Sequence, residues 1–347
     1  MEYTEGSIID GRYLLKELKG RGSFGEVWLA LDQQTDIAVA IKIYVALDTQ
    51  GVQEFKKEFQ VSFNLNHTNL LHANYLEVNK EDQRPYLVMP YCPQGSVSKK
   101  MGQMSEQDIW RFIRDVSAGL AYLHNQNPPI IHQDIKPDNI LIAPNGDFVI
   151  TDFGISKQVR NTLRKSATYL ESAGSPAYMG PEHFNKKYSP IKSSDIWALG
   201  STIYELLVGT LPFCGLGGGM QKNGAEIPDL PEEFSHDLNF VMRSCLANET
   251  WNRPTAAQLV EYANVKINGG IPEITWNYVA EDKIADEKTE NKTIVGVGET
   301  ASALPSSPSV VPAIEKTSSS WISWILVILG GLLTGFGLNF LYSFLIG

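Results

Sequence analysis

An α+β fold in two lobes is predicted by the order of the hydrophobic patterns along this chain. Residues 13–44 run or alternate in β-branched and aromatic types, as the strands of a small antiparallel sheet do. Residues 108–124 place apolar side chains three and four positions apart, and two later stretches repeat this helical pattern. After residue 262 the composition turns polar, and from residue 321 it is almost wholly apolar. The predicted architecture is therefore a small sheet lobe with one helix, a mainly helical lobe, a flexible tether and a single transmembrane helix.

The order of these elements follows from local patterns. Within residues 51–65 phenylalanine recurs at every fourth position, which predicts the one helix of the first lobe. Residues 86–89 indicate a further strand that ends at Pro90, because proline has no N–H for a sheet ladder. The second lobe adds three predicted helices, at 108–124, 195–208 and 238–246.

The overall charge excludes one class of function. The 347 residues carry a net charge of −10, without the clustered Lys and Arg that a nucleic-acid surface needs. The three cysteines are widely spaced, which fits neither a zinc site nor a secreted disulfide scaffold and favours a reducing compartment. The first ten residues are partly acidic and contain no apolar signal sequence. We therefore expect no nucleic-acid partner and a cytoplasmic first domain.

A glycine-rich turn between two predicted strands is the first candidate site. Residues 20–27 read Gly-Arg-Gly-Ser-Phe-Gly-Glu-Val, and glycines at such a turn let the backbone close over phosphate groups. A plain glycine-rich hairpin is the alternative. The strands on both sides disfavour a dinucleotide-binding fingerprint, which needs a strand followed by a helix.

A lysine at the end of an apolar strand is the second candidate. Lys42 closes the run Ala-Val-Ala-Ile-Lys, where an ammonium group without an anionic partner would be costly. Glu58, on the predicted helix, is the natural partner. The alternative is that Glu58 is an ordinary surface residue among lysines.

The segment 131–142 points most directly to phosphoryl transfer. It reads Ile-His-Gln-Asp-Ile-Lys-Pro-Asp-Asn-Ile-Leu-Ile, and the strand that follows ends in Asp152-Phe-Gly. Phosphoryl transfer needs positioned Mg²⁺, neutralised phosphate charge and an acceptor for the hydroxyl proton. The carboxylates and the amide of these two motifs supply such groups, although they could also cap turns. In this order, the motifs from about Tyr13 to Tyr262 resemble the eukaryotic-type (Hanks-type) serine/threonine protein kinase family.

The resemblance implies a role for each matching residue. Four positions match the family's catalytic residues, namely Asp134 as the base, Lys136 as a γ-phosphate contact, Lys42 and Glu58. Asn139 and Asp152 would hold Mg²⁺, or Mn²⁺ in its place. ATP would be bound by a larger set of residues: Gly20, Gly22, Ser23, Phe24, Gly25, Val27, Ala40, Lys42, Met89, Cys92 and Leu141. Ordinary core packing also accounts for the apolar members of this set.

The same resemblance predicts two supporting contacts and identifies two departures. Asp195 would brace the catalytic loop by accepting backbone N–H bonds, and Glu182 would pair with Arg253. Gln133 stands where the family has an arginine that gathers an activation-loop phosphate, so activation is expected not to need a phosphate there. Residues 213–220 are rich in glycine where the family has a longer helical insertion, which predicts unusual substrate docking.

The predicted function is transfer of the γ-phosphoryl group of ATP to serine and threonine hydroxyls of protein substrates. Lysine two residues past the base resembles the serine/threonine branch of the family. One alternative is a catalytically weak nucleotide-binding scaffold, or pseudokinase, but such proteins lack at least one of the catalytic and metal-binding residues. Another is a small-molecule kinase, which the peptide-docking motif of residues 174–182 disfavours.

The C-terminal segment leads to the prediction of a membrane anchor. Residues 321–346 contain no charge and, as a helix of about 39 Å, exceed the ~30 Å hydrocarbon core. The predicted organisation is a kinase domain at 13–262, a flexible juxtamembrane linker at 263–320 and a transmembrane helix at 321–346. A peripheral amphipathic segment is the alternative. The localisation would be single-pass membrane with a cytoplasmic kinase domain, and Gly331 with Gly335 would offer a homodimer interface.

Overall fold

An antiparallel sheet forms the N-terminal lobe of the computed structural model, which describes residues 2–22, 25–45, 47, 52–53, 56, 59–60, 63–153 and 176–277. Six described strands pair in the order β1-β2-β3-β4-β6-β5. Their alternating β-branched and aromatic residues bury one face around Trp28, Ile41 and Ile43. The strands are β1 (Ile8–Ile9), β2 (Tyr13–Gly22), β3 (Gly25–Asp32), β4 (Ile37–Tyr44), β5 (Tyr75–Val78) and β6 (Pro85–Pro90).

The helix expected after β4 is described only at separate positions. Residues 52–53, 56, 59–60 and 63 are helical, as the phenylalanine spacing predicts. The rings of Phe59 and Phe63 lie 5.5 Å apart. Glu58, the residue that the sequence assigns as the partner of Lys42, lies outside the described residues.

Helices dominate the described part of the second lobe, in agreement with the sequence. Ser105 accepts a hydrogen bond from Asp108 N–H at the start of the first helix, and Thr255 forms a capping box at the start of the last. The helices are α1 (Glu106–His124), α2 (Lys192–Val208), α3 (Gly218–Lys222), α4 (His236–Cys245) and α5 (Ala256–Ile267). Short 3₁₀ turns lie at Val97–Lys100, Pro137–Asn139, Pro176–Tyr178, Pro181–Phe184 and Pro212–Gly215.

One large hydrophobic core holds the helical lobe together and fixes the position of residues 131–139, the segment that contains Asp134. Helix α2 is buried on nearly all sides, with Trp197 fully buried near its first turn. The hairpin of β7 (Ile140–Ile142) and β8 (Phe148–Ile150) packs on α1, where the rings of Phe112 and Phe148 meet at 5.3 Å. The loop before β7 is therefore supported by both helices and the hairpin.

The membrane localisation predicted from the sequence is corrected by the helices of this structure. No helix within the described ranges is both long enough and apolar enough to cross a bilayer. Helix α2, with 17 residues, spans only about 26 Å, and the longer α1 carries several charged residues. The expected span at 321–346, with Gly331 and Gly335, lies outside the described residues. The assignment as a single-pass membrane protein is therefore withdrawn.

Candidate active site

A cleft with a cavity volume of about 570 Å³ is lined by strands β2, β3 and β4 on one side and by the C-terminal lobe on the other. Its lining residues are far apart in the sequence, from Gly20 in the glycine-rich turn to Asp152 just after β8. Eleven of the predicted site residues line it: Gly20, Gly22, Gly25, Val27, Ala40, Lys42, Met89, Cys92, Asn139, Leu141 and Asp152. Ser23 and Phe24, at the tip of the turn, lie outside the described residues.

The glycines of the turn serve two different steric purposes. A Cβ on Gly20 or Gly22 would meet no atom within 4 Å, so the space beside this strand is open. Gly25 has φ +137°, and a Cβ there would lie 1.9 Å from the carbonyl oxygen of Ile43. Gly25 is therefore required for the close pairing of β3 with β4, whereas the first two glycines leave room for a ligand.

Lys42 forms an ion pair across the cleft with Asp152, the first residue of the Asp-Phe-Gly motif. Its Nζ lies 2.5 Å from Oδ1 of Asp152, a residue 110 positions later in the chain. Lys42 is only 8% exposed, so the carboxylate compensates the cost of burying the ammonium group. The sequence correctly indicates that Lys42 needs an anionic partner. Among the described residues that partner is Asp152.

The side chain of Asp134 is held from two directions. The Nδ2 of Asn139 donates to the Asp134 carbonyl at 2.7 Å and to its carboxylate Oδ2 at 2.9 Å. The Nζ of Lys136 lies 3.3 Å from the other carboxylate oxygen. Because both amide hydrogens of Asn139 point to Asp134, its Oδ1 is the amide atom that remains to face a cation.

Asp195, on helix α2, braces the backbone of this loop as the sequence predicts. Its carboxylate accepts hydrogen bonds from the N–H groups of His132 and Gln133, at 2.9 and 2.8 Å. The Nε2 of His124 lies 2.9 Å from the same carboxylate, which is only 1% exposed. Gln133 adopts φ 65°, a left-handed conformation that a non-glycine residue keeps only when its surroundings fix it.

A contact that no motif predicts connects residues 131–139 to the chain just before Asp152. The Nε2 of His132 lies 3.0 Å from the carbonyl oxygen of Thr151. In the other direction, Thr151 N–H donates to the carbonyl of Asn139 at 2.9 Å. The two motifs are thereby fixed to each other. The only sequence signal for this contact is the order of polar residues, His-Gln-Asp at 132–134 and Thr-Asp at 151–152.

Apolar residues form the inner part of the cleft. Ala40 pairs with Met89 across β4 and β6, and Leu141 lies on β7 of the opposite lobe. Burial raises the pKa of the Cys92 thiol, so this cysteine is a neutral lining residue. Leu71 and Lys99 also line the cleft. Neither belongs to a motif, so the sequence does not predict their place here.

Downstream of the cleft, a buried ion pair fixes residues 176–185, which we call the acceptor segment. Arg253 Nη1 and Nη2 donate to the two carboxylate oxygens of Glu182 at 2.9 and 2.8 Å, which confirms the predicted pair. Burial alone would raise the pKa of Glu182, but the Arg253 guanidinium and its hydrogen bonds hold that pKa below its ordinary value. The contact is structural, since the Arg253 side chain is fully buried.

Tyr178, in the same segment, is tied to helix α2. Its hydroxyl donates to Oε2 of Glu205 at 2.5 Å. Burial raises the pKa of both groups, so Tyr178 remains a neutral donor. Tyr178 also lines a small cavity that contains Asp134, so the acceptor segment lies beside the predicted base.

Comparison with known proteins agrees with this arrangement. The protein kinase domain family matches residues 13–264. The mitogen-activated protein kinase kinase kinase YODA of Arabidopsis thaliana is 32% identical over 276 residues, covering 76% of this chain and 30% of YODA. Mitogen-activated protein kinase kinase kinase 3 of the same plant is 34% identical over 255 residues, covering 70% of this chain and 41% of that protein.

A serine/threonine-protein kinase of Dictyostelium discoideum, dst1, is 32% identical over 259 residues, covering 72% of this chain and 34% of dst1. The chain therefore belongs to the protein kinase family. The matching family model is the protein kinase domain, and dst1 is by name a serine/threonine-protein kinase. The chain spans less than half the length of these relatives.

Proposed function

We propose that this chain transfers the γ-phosphoryl group of ATP to serine and threonine hydroxyls of protein substrates, through a kinase domain at 13–262. One observation carries the proposal. The carboxylate of Asp134 is fixed by Asn139 and Lys136 beside a cleft that Lys42 and Asp152 line. A positioned base, cations for phosphate charge and oxygen donors for a metal ion are what phosphoryl transfer requires of a protein.

The proposed reaction assigns one task to each group. The hydroxyl oxygen of the acceptor forms a bond to the γ-phosphorus while the bond from that phosphorus to the β–γ bridging oxygen breaks. ADP leaves with the electron pair of the broken bond. Asp134 takes the hydroxyl proton, and Lys136 balances the negative charge of the transferred group. Lys42 would contact the phosphates of ATP, and Glu58 would hold Lys42 in place.

The oxygen donors of the cleft fit Mg²⁺ or Mn²⁺. Asp152 offers a carboxylate and Asn139 its amide oxygen, the hard ligands that these ions prefer. Mg²⁺ is commonly held by one or two protein ligands together with phosphate oxygens. Among the described residues no cluster of three acidic, His or Cys side chains could hold a metal, which fits such a shared site. The bound ion would neutralise phosphate charge.

A protein acceptor is supported by the acceptor segment. Residues 176–185 are fixed beside Asp134 by the Glu182–Arg253 pair and by Tyr178. Such a rigid backbone can hold an extended peptide with its hydroxyl toward the base. Lys136 two positions past the base supports serine and threonine as acceptors, as the family resemblance implies.

The test uses the full chain with radiolabelled ATP, Mg²⁺ and dephosphorylated casein, followed by phosphoamino-acid analysis. Asp134→Asn keeps the shape of the side chain but removes the base, so transfer should fall by about 10²–10⁴-fold. ATP affinity should change by less than about threefold, since Asp134 does not line the ATP cleft. Full activity of the variant, or phosphotyrosine as the main product, would refute the proposal.

A further inference from the structure

The glycine-rich residues 215–219, which we call the glycine segment, lie directly on the acceptor segment. Gly217 has φ +57°, and a Cβ there would lie 2.0 Å from the carbonyl oxygen of Pro176. A Cβ on Gly218 would lie 2.2 Å from the nitrogen of Pro181. Real Cβ atoms do not approach backbone so closely. Both positions therefore require glycine because two backbone segments are in contact.

Hydrogen bonds join the two segments at both ends. Gly218 N–H donates to the carbonyl oxygen of Met179 at 2.8 Å. Lys222, on α3, donates from Nζ to the carbonyl of Phe184 at 3.1 Å and to Oδ1 of Asn185 at 2.7 Å. The acceptor segment is thus held along most of its length by the chain that follows α2.

The glycine segment is itself anchored in the core. The ring of Phe213 stacks on Trp197 of α2, with centroids 6.0 Å apart. Buried Gln221 accepts from Trp197 Nε1 at 3.1 Å and donates to the carbonyl of Leu246 at 2.7 Å. Helix α2 also carries Asp195, which braces the catalytic loop. The base and the acceptor segment are therefore positioned from the same buried helix, by two separate routes.

Movement of the acceptor segment would affect the acceptor rather than the nucleotide. Tyr178 and Met179 line the small cavity that contains Asp134. No residue of 176–185 lines the cleft assigned to ATP. A displaced acceptor segment should therefore weaken binding of the protein acceptor, which raises KM for that substrate without changing KM for ATP.

We propose that Gly217, Gly218 and Lys222 are positioning residues that set the acceptor segment for the protein substrate. They act through the backbone of residues 176–185 and touch neither reacting group. The inference rests on the kinase reaction proposed above and adds a determinant of acceptor binding that lies outside the kinase motifs. The glycine-rich sequence, in place of a longer helical insertion, is what permits the close contact.

The experiment compares three variants of the full chain with dephosphorylated casein as acceptor. Gly217→Ala introduces a Cβ against backbone, and Lys222→Met removes the two hydrogen bonds of an exposed side chain. Gly11→Ala is the matched control. Gly11 has φ +67°, close to the +57° of Gly217, but a Cβ there would meet no atom within 4 Å. For each variant we would measure KM for casein, KM for ATP, and ATP hydrolysis without casein.

The expected result is a rise in KM for casein of about tenfold in Gly217→Ala and about threefold in Lys222→Met. KM for ATP and ATP hydrolysis should change by less than about twofold in all three variants, and Gly11→Ala should have the KM for casein of wild type. Unchanged KM for casein in Lys222→Met would overturn the inference, whether or not Gly217→Ala folds. Equal losses of casein transfer and ATP hydrolysis would also overturn it, since they indicate a general structural defect.

Hydrogen exchange of the same variants gives a readout that does not depend on activity. Amides of residues 176–185 should exchange faster in Gly217→Ala and Lys222→Met than in wild type, whereas those of 131–139 should not change. Exchange unaltered in both variants would contradict the inference. Inactive wild-type protein with the expected exchange pattern would instead count against the proposed function, so the two failures can be told apart.

Discussion

The two walls of the cleft differ in how firmly they are held. On the C-terminal side, Asp195, His132 and Asn139 hold the loop before β7 through buried hydrogen bonds to backbone groups. On the N-terminal side, strand β2 is exposed from Lys16 to Gly22 and its pairing with β3 is interrupted at two places. The C-terminal side, which we call the lower wall, is a fixed polar network. The N-terminal side, which we call the upper wall, is a partly exposed strand edge.

In the proposed kinase reaction, this difference assigns separate tasks to the two lobes. Atoms that act on the reacting phosphate must be held to within fractions of an ångström, which buried and satisfied hydrogen bonds achieve. A strand edge with few buried contacts opens at a lower cost in free energy, which suits the exchange of ATP for ADP. We therefore expect variants of the lower wall to lose both stability and rate. Variants of the upper wall should lose rate with little change in stability.

The largest effect is expected for Asp195→Ala in the lower wall. The change leaves the N–H groups of His132 and Gln133 and the His124 ring without their shared acceptor. Loss of a buried charged acceptor should lower the free energy of unfolding by about 3–5 kcal/mol. Chemical denaturation measures this loss, and activity should fall with it. A decrease of less than about 1 kcal/mol would show that the loop is not braced as we describe.

Lys42→Met should affect rate but hardly stability. Methionine fills similar space but cannot balance the charge of phosphate groups, so kcat should fall by about 10²–10³-fold. The midpoint of thermal unfolding should stay within about 3 °C of wild type, because Asp152 is partly exposed and can be solvated without its partner. A large loss of stability would break the proposed contrast between the walls.

Glu182→Gln should change the pH dependence of stability. In the folded state Arg253 lowers the pKa of Glu182 below its ordinary value of 4.5. The stabilisation by this pair is therefore fully present above about pH 4.5 and is lost as the pH falls through the folded-state pKa.

The glutamine variant should lose about 3 kcal/mol of unfolding free energy at pH 7 and less at pH 3. Urea titrations at pH 7, 5, 4 and 3 measure both quantities. A difference between variant and wild type that is the same at every pH would contradict the assignment.

The smallest effect is expected for Lys19→Leu at the rim of the upper wall. The Nζ of Lys19 lies 2.7 Å from Glu17 and 5.6 Å from the centre of the Tyr91 ring, where the side chain is partly exposed. Such exposed pairs contribute about 0–1 kcal/mol. KM for ATP should therefore change by less than about threefold. A larger change in either direction would assign Lys19 a direct contact with the nucleotide.

Much of the site follows from short motifs, since each motif contains both the reacting residue and the residues that shape its backbone. Asp134, Lys136 and Asn139 lie within six positions of one another, and the structure brings their side chains into contact. The brace from Asp195 and the Glu182–Arg253 pair are also predicted, because each partner belongs to a recognisable motif. Leu71 and Lys99 could not be found in this way.

The membrane assignment is wrong because it was drawn from composition and not from a motif. It rests on the composition of residues 321–346, whereas the helices in the described part of the chain are amphipathic or too short to span a bilayer. Apolar composition reports that a segment avoids water, but it does not identify what covers that segment.

The sequence by itself determined the chemical inventory of this protein: the carboxylates of Asp134 and Asp152, two lysines and an amide, in the order used by the protein kinase family. Only the tertiary structure decided which groups meet. It pairs Lys42 with Asp152 across the cleft and places Gly217 and Gly218 against the acceptor segment. These contacts join residues tens of positions apart, so no local period records them. The contacts depend instead on how the sheet and helix α2 pack. That packing is determined by the burial of apolar side chains throughout the core.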